Sequence, residues 1–403
     1  MTDHPPTGYP LTEYSLTNVR AVLDDRLADD VTVVVRGGLL AAVDEGAPAP
    51  PEAIDGCGLL LLPGLVDSHS DGLEKEIRPR RNASFPLGYA IESFEGRLRA
   101  AGVTTVFHGL GYQEKGQIGR SVDGARAVGD ALAERRSDPA AAVEHGALYR
   151  FEARDPVSLD PLLDDLERNQ LVGVGTPLIS FEDHTPGQGQ YRDVAQFEAA
   201  VDPTGLPEGV TVAEHVRSLM AEAEPLLAVR DKNLSRLTPL ARRGEIRLLA
   251  HDPVTPDDIG WASEAGATIA EFPVTVEAAR AAREQGLTTV MGAPNALRGH
   301  SHTGNASARE LVSLGLCDVI ASDYLPTALL ASTFAMAAEG CCSLPAAVGL
   351  ITSGPARLAG LDDRGRLAVG LRADLVLVDD RGRWPSVVGV RRATEHREWR
   401  VFG

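Results

Sequence analysis

His69 and Asp71 stand two residues apart at the end of the apolar run Leu61-Leu62-Pro63-Gly64-Leu65-Val66, in the order His69-Ser70-Asp71. Alternate residues of a strand face the same side, so an imidazole and a carboxylate meet at one point beyond the strand's C-terminal end. That pair is a mixed N/O donor set for a divalent metal. Further apolar runs end on residues of the same chemistry: His108, Glu152, His184, His251, Glu271 and Asp323. One histidine at a strand end is ordinarily a satisfied core or loop residue. Several of the chain's ten, in equivalent places beside carboxylates, form a pattern. Such a cup would hold two divalent ions roughly 3.5–4 Å apart, lower the pKa of a shared water toward ~7 and neutralise an anionic leaving group. Asp323, in Ala321-Ser322-Asp323-Tyr324, is placed to take the water's proton as catalytic general base.

The elements that must position these groups are legible in the texture of the chain. Apolar strands read over 59–67, 103–108, 147–152, 174–181, 246–251, 267–272, 287–292 and 318–323. Amphipathic helices read over 89–101, 121–136, 158–169, 211–228, 257–265, 276–284 and 306–314. Eight such strands with helical connections predict an α/β fold, a (β/α)8 TIM-type barrel, whose chemistry gathers at the C-terminal strand ends. No GxGxxG follows the first strand, as an open dinucleotide-binding sheet would require. Both ends of the chain are β-rich, with Gly37-Gly38 as a hairpin turn between 31–36 and 39–43. The expectation is a small β-sandwich built from both chain ends, residues 1–58 and 357–403, beside a barrel over 59–356.

The 403 residues carry a net charge of −18, which argues against nonspecific binding to nucleic acid or to an anionic membrane. No apolar run reaches the ~18 residues of a membrane span. Met1 to Pro10 lacks the basic and apolar regions of an export signal. Cys57, Cys317, Cys341 and Cys342 form neither a CxxC motif nor a disulfide pattern. A cytoplasmic protein is expected, and a homo-oligomer stays open.

Pro63-Gly64-Leu65-Val66-Asp67-Ser68-His69, the order of the donors along the chain and Ala373-Asp374-Leu375-Val376 resemble the amidohydrolase superfamily. More narrowly, the stretches Asp183-His184-Thr185-Pro186-Gly187-Gln188 and Arg298-Gly299-His300-Ser301-His302-Thr303-Gly304-Asn305 look like the phosphonate-metabolism diphosphatases of the PhnM family. The resemblance spans nearly the whole chain. It implies a two-metal barrel, with zinc or manganese, that releases pyrophosphate from α-D-ribose 1-methylphosphonate 5-triphosphate. It also implies that His69, Asp71, Glu152, His184, His251 and Asp323 form the metal site, with Glu152 as the carboxylate shared by both ions. Gly72, His108, Gly189 and Pro253 depart from the family pattern. The missing arginine at Gly189 weakens the grip on a polyphosphate.

The glycine-punctuated loop from Arg298 to Ser307 precedes a helix and offers donors for a phosphorylated, anionic substrate: Arg298 as a bidentate grip, with Ser301, His302 and Asn305. Arg80, in the basic cluster Arg78-Pro79-Arg80-Arg81, is a further anion contact. Thr185-Pro186-Gly187-Gln188-Gly189 reads as a mobile turn beside His184. The rival activity is C–N hydrolysis, as in a deacetylase or cyclic amidase. A metal-free scaffold on the same fold is the alternative from another class.

Overall fold

A computed structural model describes residues 13–80, 82–113, 120–168, 172–301 and 304–395. The N-terminal strands are β1 (Tyr14–Val22), β2 (Leu27–Arg36), β3 (Leu39–Glu45), β4 (Ile54–Asp55) and β5 (Leu60–Pro63). The barrel strands follow as β6 (Leu65–Ser70), β7 (Val103–Tyr112), β8 (Glu144–Glu152), β9 (Leu178–Glu182), β10 (Arg247–His251), β11 (Ala267–Glu271), β12 (Thr288–Gly292) and β13 (Val319–Ala321). The chain ends with β14 (Leu375–Asp379) and β15 (Ser386–Arg391).

Strands β6 to β13 form an eight-stranded sheet in sequence order, every neighbouring pair parallel. It closes into the expected barrel where Ser70 bridges to Asp323. There the Asp71 N–H donates to the Asp323 carbonyl at 2.6 Å and the Asp323 N–H to the His69 carbonyl at 3.0 Å. The backbone that closes the barrel is therefore the backbone of the site. Helices such as Leu87–Ala100, Val122–Ser137 and Val276–Glu284 cover the outside. The run expected as one helix over 211–228 is Val212–Ala223 followed by Leu227–Arg242, because Pro225 sits in the turn between them.

The two chain ends do pair. One sheet runs β15-β14-β5-β1-β2-β3, with β4 beside β1. It is a single sheet curled on itself: Leu39 bridges to Arg372, and the Ala373 N–H donates to the Gly38 carbonyl at 2.9 Å. Leu16, Val33, Leu40, Leu61, Leu375 and Leu377 fill its interior. The run 59–67, expected as one barrel strand, is two. Leu60–Pro63 pairs with β14, and only Leu65–Ser70 belongs to the barrel. The switch falls at Gly64, whose N–H donates to the Asp374 carbonyl at 2.7 Å while the next residue's N–H donates to Gly102 at 3.1 Å. A Cβ at 64 would lie 2.3 Å from Thr104 Oγ1, so only glycine passes between the two sheets. Among the described residues no helix is long and apolar enough to cross a membrane.

Candidate active site

Below the site the barrel is filled by Val66, Phe107, Leu148, Leu178, Leu249, Ile269, Val290 and Val319. Along seven of the eight strands the period of two then dictates what stands above this apolar layer; on β6 the step from Val66 to His69 is three, across a register irregularity between Asp67 and Ser70. Phe107 is followed by Gly109 and Gly111, Leu148 by Arg150 and Glu152, and Leu178 by Ser180 and Glu182. Leu249 is followed by His251, Ile269 by Glu271, Val290 by Gly292, and Val319 by Ala321 and Asp323. One apolar tier supports one polar tier at the C-terminal end, where a barrel places its chemistry.

Carboxylates orient the imidazoles. His69 Nδ1 lies 2.7 Å from Glu271 Oε1, and His251 Nδ1 lies 2.8 Å from Glu271 Oε2. Ser180 Oγ donates to the same carboxylate at 2.9 Å. Glu152 Oε1 accepts from His184 Nδ1. Holding Nδ1 in this way leaves Nε2 of each ring for a ligand, as in carboxylate–histidine–metal arrangements. Burial alone would favour the neutral rings, but Glu271 and Asp71 raise His69 well above the usual imidazole range. Burial likewise works against His184, yet the bond to Glu152 lifts it to about 9. His251 is raised as well, chiefly by Asp252 acting against burial. The negative charge of the site thus raises all three imidazoles against their burial. A divalent cation answers the same field.

The backbone is bent to the same end. Asp252, Phe272 and Asp323 have φ of 53°, 55° and 56°, a left-handed conformation that is unfavourable for residues with a Cβ. All three follow barrel strands and line one cavity of about 160 Å³ with His69, Asp71, Arg150 and His251. Burial, and then Asp71, push the Asp323 carboxyl up to about 6.

The sequence-derived residues sort as follows. His69, Asp71, His251 and Asp323 share that cavity, and Arg298, Ser301 and Asn305 form another part of its wall. Arg298 Nη1 donates to Tyr324 Oη at 3.0 Å. Glu152 and His184 group with Glu182. Glu152 closes the third barrel strand and orients His184, while the central place at the end of the fourth belongs to Glu182. Arg80 is exposed and is not among the residues lining the cavity. His302 lies outside the described residues. His108 sits in the middle of β7, fully buried, with Nε2 2.9 Å from His145 Nδ1. His145 Nε2 is 2.8 Å from Glu95 Oε1, so this relay belongs to the core. Gly72 is required by Phe94, whose Cζ would lie 2.5 Å from a Cβ there. At Gly189, with φ of 51°, a Cβ would lie 3.0 Å from that of Asp252.

Three side chains of the candidate site were not read from the sequence: Glu182, Asp252 and Arg150. Glu182 is fully buried and lies 3.8 Å from both His184 Nδ1 and His251 Nδ1. Burial opposes its ionisation, but Arg150 holds its carboxyl at about 2. Its Oε2 is buried without a hydrogen-bond partner among the described residues. Asp252 groups with His184 and His251 as three donors within reach of one ion. Arg150 donates through Nη1 to both Asp71 oxygens at 2.6 Å, and through Nε to Glu182 Oε1. Burial opposes the Asp71 charge, yet Arg150 keeps that carboxyl well below the usual range. An orphaned buried carboxylate oxygen beside imidazoles whose Nδ1 atoms are already engaged fits a divalent metal.

Comparison with known proteins agrees with this fold. The model of the Amidohydrolase family matches residues 194–393. The α-D-ribose 1-methylphosphonate 5-triphosphate diphosphatase of Escherichia coli (strain K12) is 34% identical over 367 residues, covering 90% of this chain and 94% of that protein. The 5-methylthioadenosine/S-adenosylhomocysteine deaminase of Halobacterium salinarum is 25% identical over 387 residues, 87% of this chain and 80% of its own. Among solved structures, an enamidase shares the fold with a TM-score of 0.61 at 17% identity, covering 95% of each chain. The dihydropyrimidinase of Brevibacillus agri does so with 0.56 at 16%, covering 95% of this chain and 94% of its own. The chain belongs to the amidohydrolase family and is one of its hydrolases.

Proposed function

We propose that this hydrolase releases pyrophosphate from a ribose 5-triphosphate in phosphonate catabolism, with α-D-ribose 1-methylphosphonate 5-triphosphate as its substrate. One observation carries the reading beyond the family. The cavity that holds His69, His251 and Asp323 is also walled by Arg298, Ser301 and Asn305, an arginine and two polar side chains suited to an anionic phosphate. The full-length relationship to a protein of that activity supports it.

A divalent ion, zinc or manganese, would be held by His184, His251, Asp252 and Glu182 Oε2. It supplies Lewis acidity that makes water a nucleophile near neutral pH and offsets charge on phosphate oxygens. The side chains do the rest. Glu271 and Glu152 fix the tautomers of His69, His251 and His184, which keeps the donors aimed without rearrangement. Asp323, with its carboxyl at about 6, is ionised at neutral pH and basic enough to take the proton of the attacking water. Arg298, bonded to Tyr324 beside Asp323 in the chain, grips the terminal phosphates from the cavity wall. Phe272, Pro273 and Met291 line the cavity and limit bulk water there.

The test is ³¹P NMR of the purified chain with Mn²⁺ and α-D-ribose 1-methylphosphonate 5-triphosphate, run beside N-acetylated sugars and cyclic amides. Appearance of pyrophosphate, with the amides intact, is the expected result. Turnover of an amide with no phosphoanhydride cleavage would replace this reading with C–N hydrolysis.

A further inference from the structure

A two-ion centre of the kind expected from the sequence needs carboxylates to share between its cations. Asp71 groups with His69 and Asp323, and Glu182 with Glu152 and His184, as donors within reach of an ion, and both carboxylates are bonded by one side chain. Arg150 rises near the C-terminal end of β8 with 5% of its side chain exposed. Its Nη1 lies 2.6 Å from each Asp71 oxygen, while its Nε is bonded to Glu182 Oε1. The opposite oxygen, Glu182 Oε2, has no partner among the described residues and looks toward His184, 3.8 Å from its Nδ1.

The neighbouring strand makes room for this arrangement. A Cβ at Gly109 would lie 2.4 Å from Asp71 Oδ1 and 3.2 Å from Arg150 Cδ, so any larger residue would push the pair apart. Two residues on, a Cβ at Gly111 would lie 2.7 Å from Arg120 Cδ. Arg120 bonds Glu74 at 2.7 and 2.9 Å and brings Nη2 to 4.0 Å from Asp71 Oδ2. Two glycines on β7 thus admit two guanidinium groups to one side of the site. A guanidinium keeps its charge at any physiological pH and matches a carboxylate edge in a way a lysine would not.

Resting on the metal reading above, we infer that Arg150 takes the place of one of the two cations. The centre would then be one divalent ion and one guanidinium, the guanidinium bonded to Glu182 through Oε1. The ion belongs on the side of His184, His251 and Asp252. Arg150 also lines the substrate cavity, so it is a fixed positive charge facing a polyphosphate, one that chelation does not remove.

The experiment is a metal count on the full chain, saturated with Mn²⁺ and freed of excess, by mass spectrometry of the metal together with electron paramagnetic resonance. One Mn²⁺ per chain, with the spectrum of an isolated ion, is expected. Arg150→Met frees Asp71 and Glu182 and should bind a second ion, with exchange-coupled lines, whereas Arg150→Lys should stay at one. Two coupled ions in the unaltered protein would overturn the inference and leave the proposed activity standing. No bound ion would overturn both. A folded Arg150→Met that stays at one ion would overturn Arg150 as the group that excludes the second. Should Arg150→Met not fold, the count on the unaltered protein and on Arg150→Lys decides: two ions in either overturns the inference, and one in both sustains it.

Discussion

Strand β8 carries an ion cluster at each end, and the two are opposites. At its N-terminal end Glu144 is one carboxylate between two arginines, Arg364 at 2.7 Å and Arg372 at 2.8 Å. Near its C-terminal end Arg150 is one arginine between two carboxylates, Asp71 and Glu182. The first cluster joins the barrel to the segment leading into β14, and the charge of Glu144 is fully answered. The second sits among Glu152, Asp252, Glu271 and Asp323 and leaves a carboxylate oxygen without a hydrogen-bond partner among the described residues. Identical residue types therefore serve stability at one end and chemistry at the other. What separates them is whether the protein itself balances the charge or leaves that to a ligand.

The comparison can be broken from the chemical end first. Asp323→Asn keeps an oxygen donor but no longer accepts a proton, so kcat for pyrophosphate release should fall roughly 10²–10⁴-fold with metal retained. Unchanged kcat would remove Asp323 as base. Glu152→Gln spares the cavity but loosens His184, and metal affinity by calorimetry should drop about 10–100-fold. A variant that binds metal as tightly as before would leave Glu152 without that role. Arg298→Ala should raise KM for a triphosphate about tenfold or more, the loss of a charge-assisted bond, with kcat less affected. An unaltered KM would take phosphate binding away from that wall.

At the other end, Glu144→Gln should leave turnover per folded molecule alone and lower stability. Burial opposes the Glu144 charge, but Arg364 and Arg372 hold its carboxyl at about 2 against an ordinary 4.5. A depressed folded pKa gives stability that is complete above 4.5 and is lost as pH falls from 4.5 toward 2. The difference corresponds to roughly 3 kcal/mol, to order of magnitude. Chemical denaturation at pH 7 and at pH 3.5 should show the variant weaker at pH 7 and closer to the unaltered protein at pH 3.5. A gap that does not change with pH would mean that Glu144 is held in place by something other than its charge.

How far the sequence leads is visible in single residues. Eight apolar strands were legible because a buried parallel strand is a short apolar run, and their order fixed the barrel. His69, Asp71, His251 and Asp323 were legible as the polar residues that end such runs. Glu182 also ends a run, at Phe181-Glu182-Asp183-His184, but the strand ending was placed one residue early and the histidine beyond it drew the attention. Arg150 was hidden by its type. Arginine inside a strand reads as an outward, solvated residue, although the step of two from Leu148 to Arg150 to Glu152 marks it as inward. The passage of β5 into β6 was hidden because nothing in an unbroken apolar run says which sheet each residue joins. The backbone bonds on either side of Gly64 decide that. Asp252 stands just past the strand that His251 ends, and its left-handed φ appears only in three dimensions.

The difference between the two ends of β8 is tested most directly by one paired measurement. Glu182→Gln and Glu144→Gln each remove one buried carboxylate charge, and ³¹P NMR of pyrophosphate release with Mn²⁺ present, at pH 7 and with folding checked by circular dichroism, sets them side by side. Glu182→Gln should be silent and Glu144→Gln should release pyrophosphate at the rate of the unaltered protein. Full turnover by Glu182→Gln would contradict the placing of the chemistry at the C-terminal end of the barrel around that carboxylate.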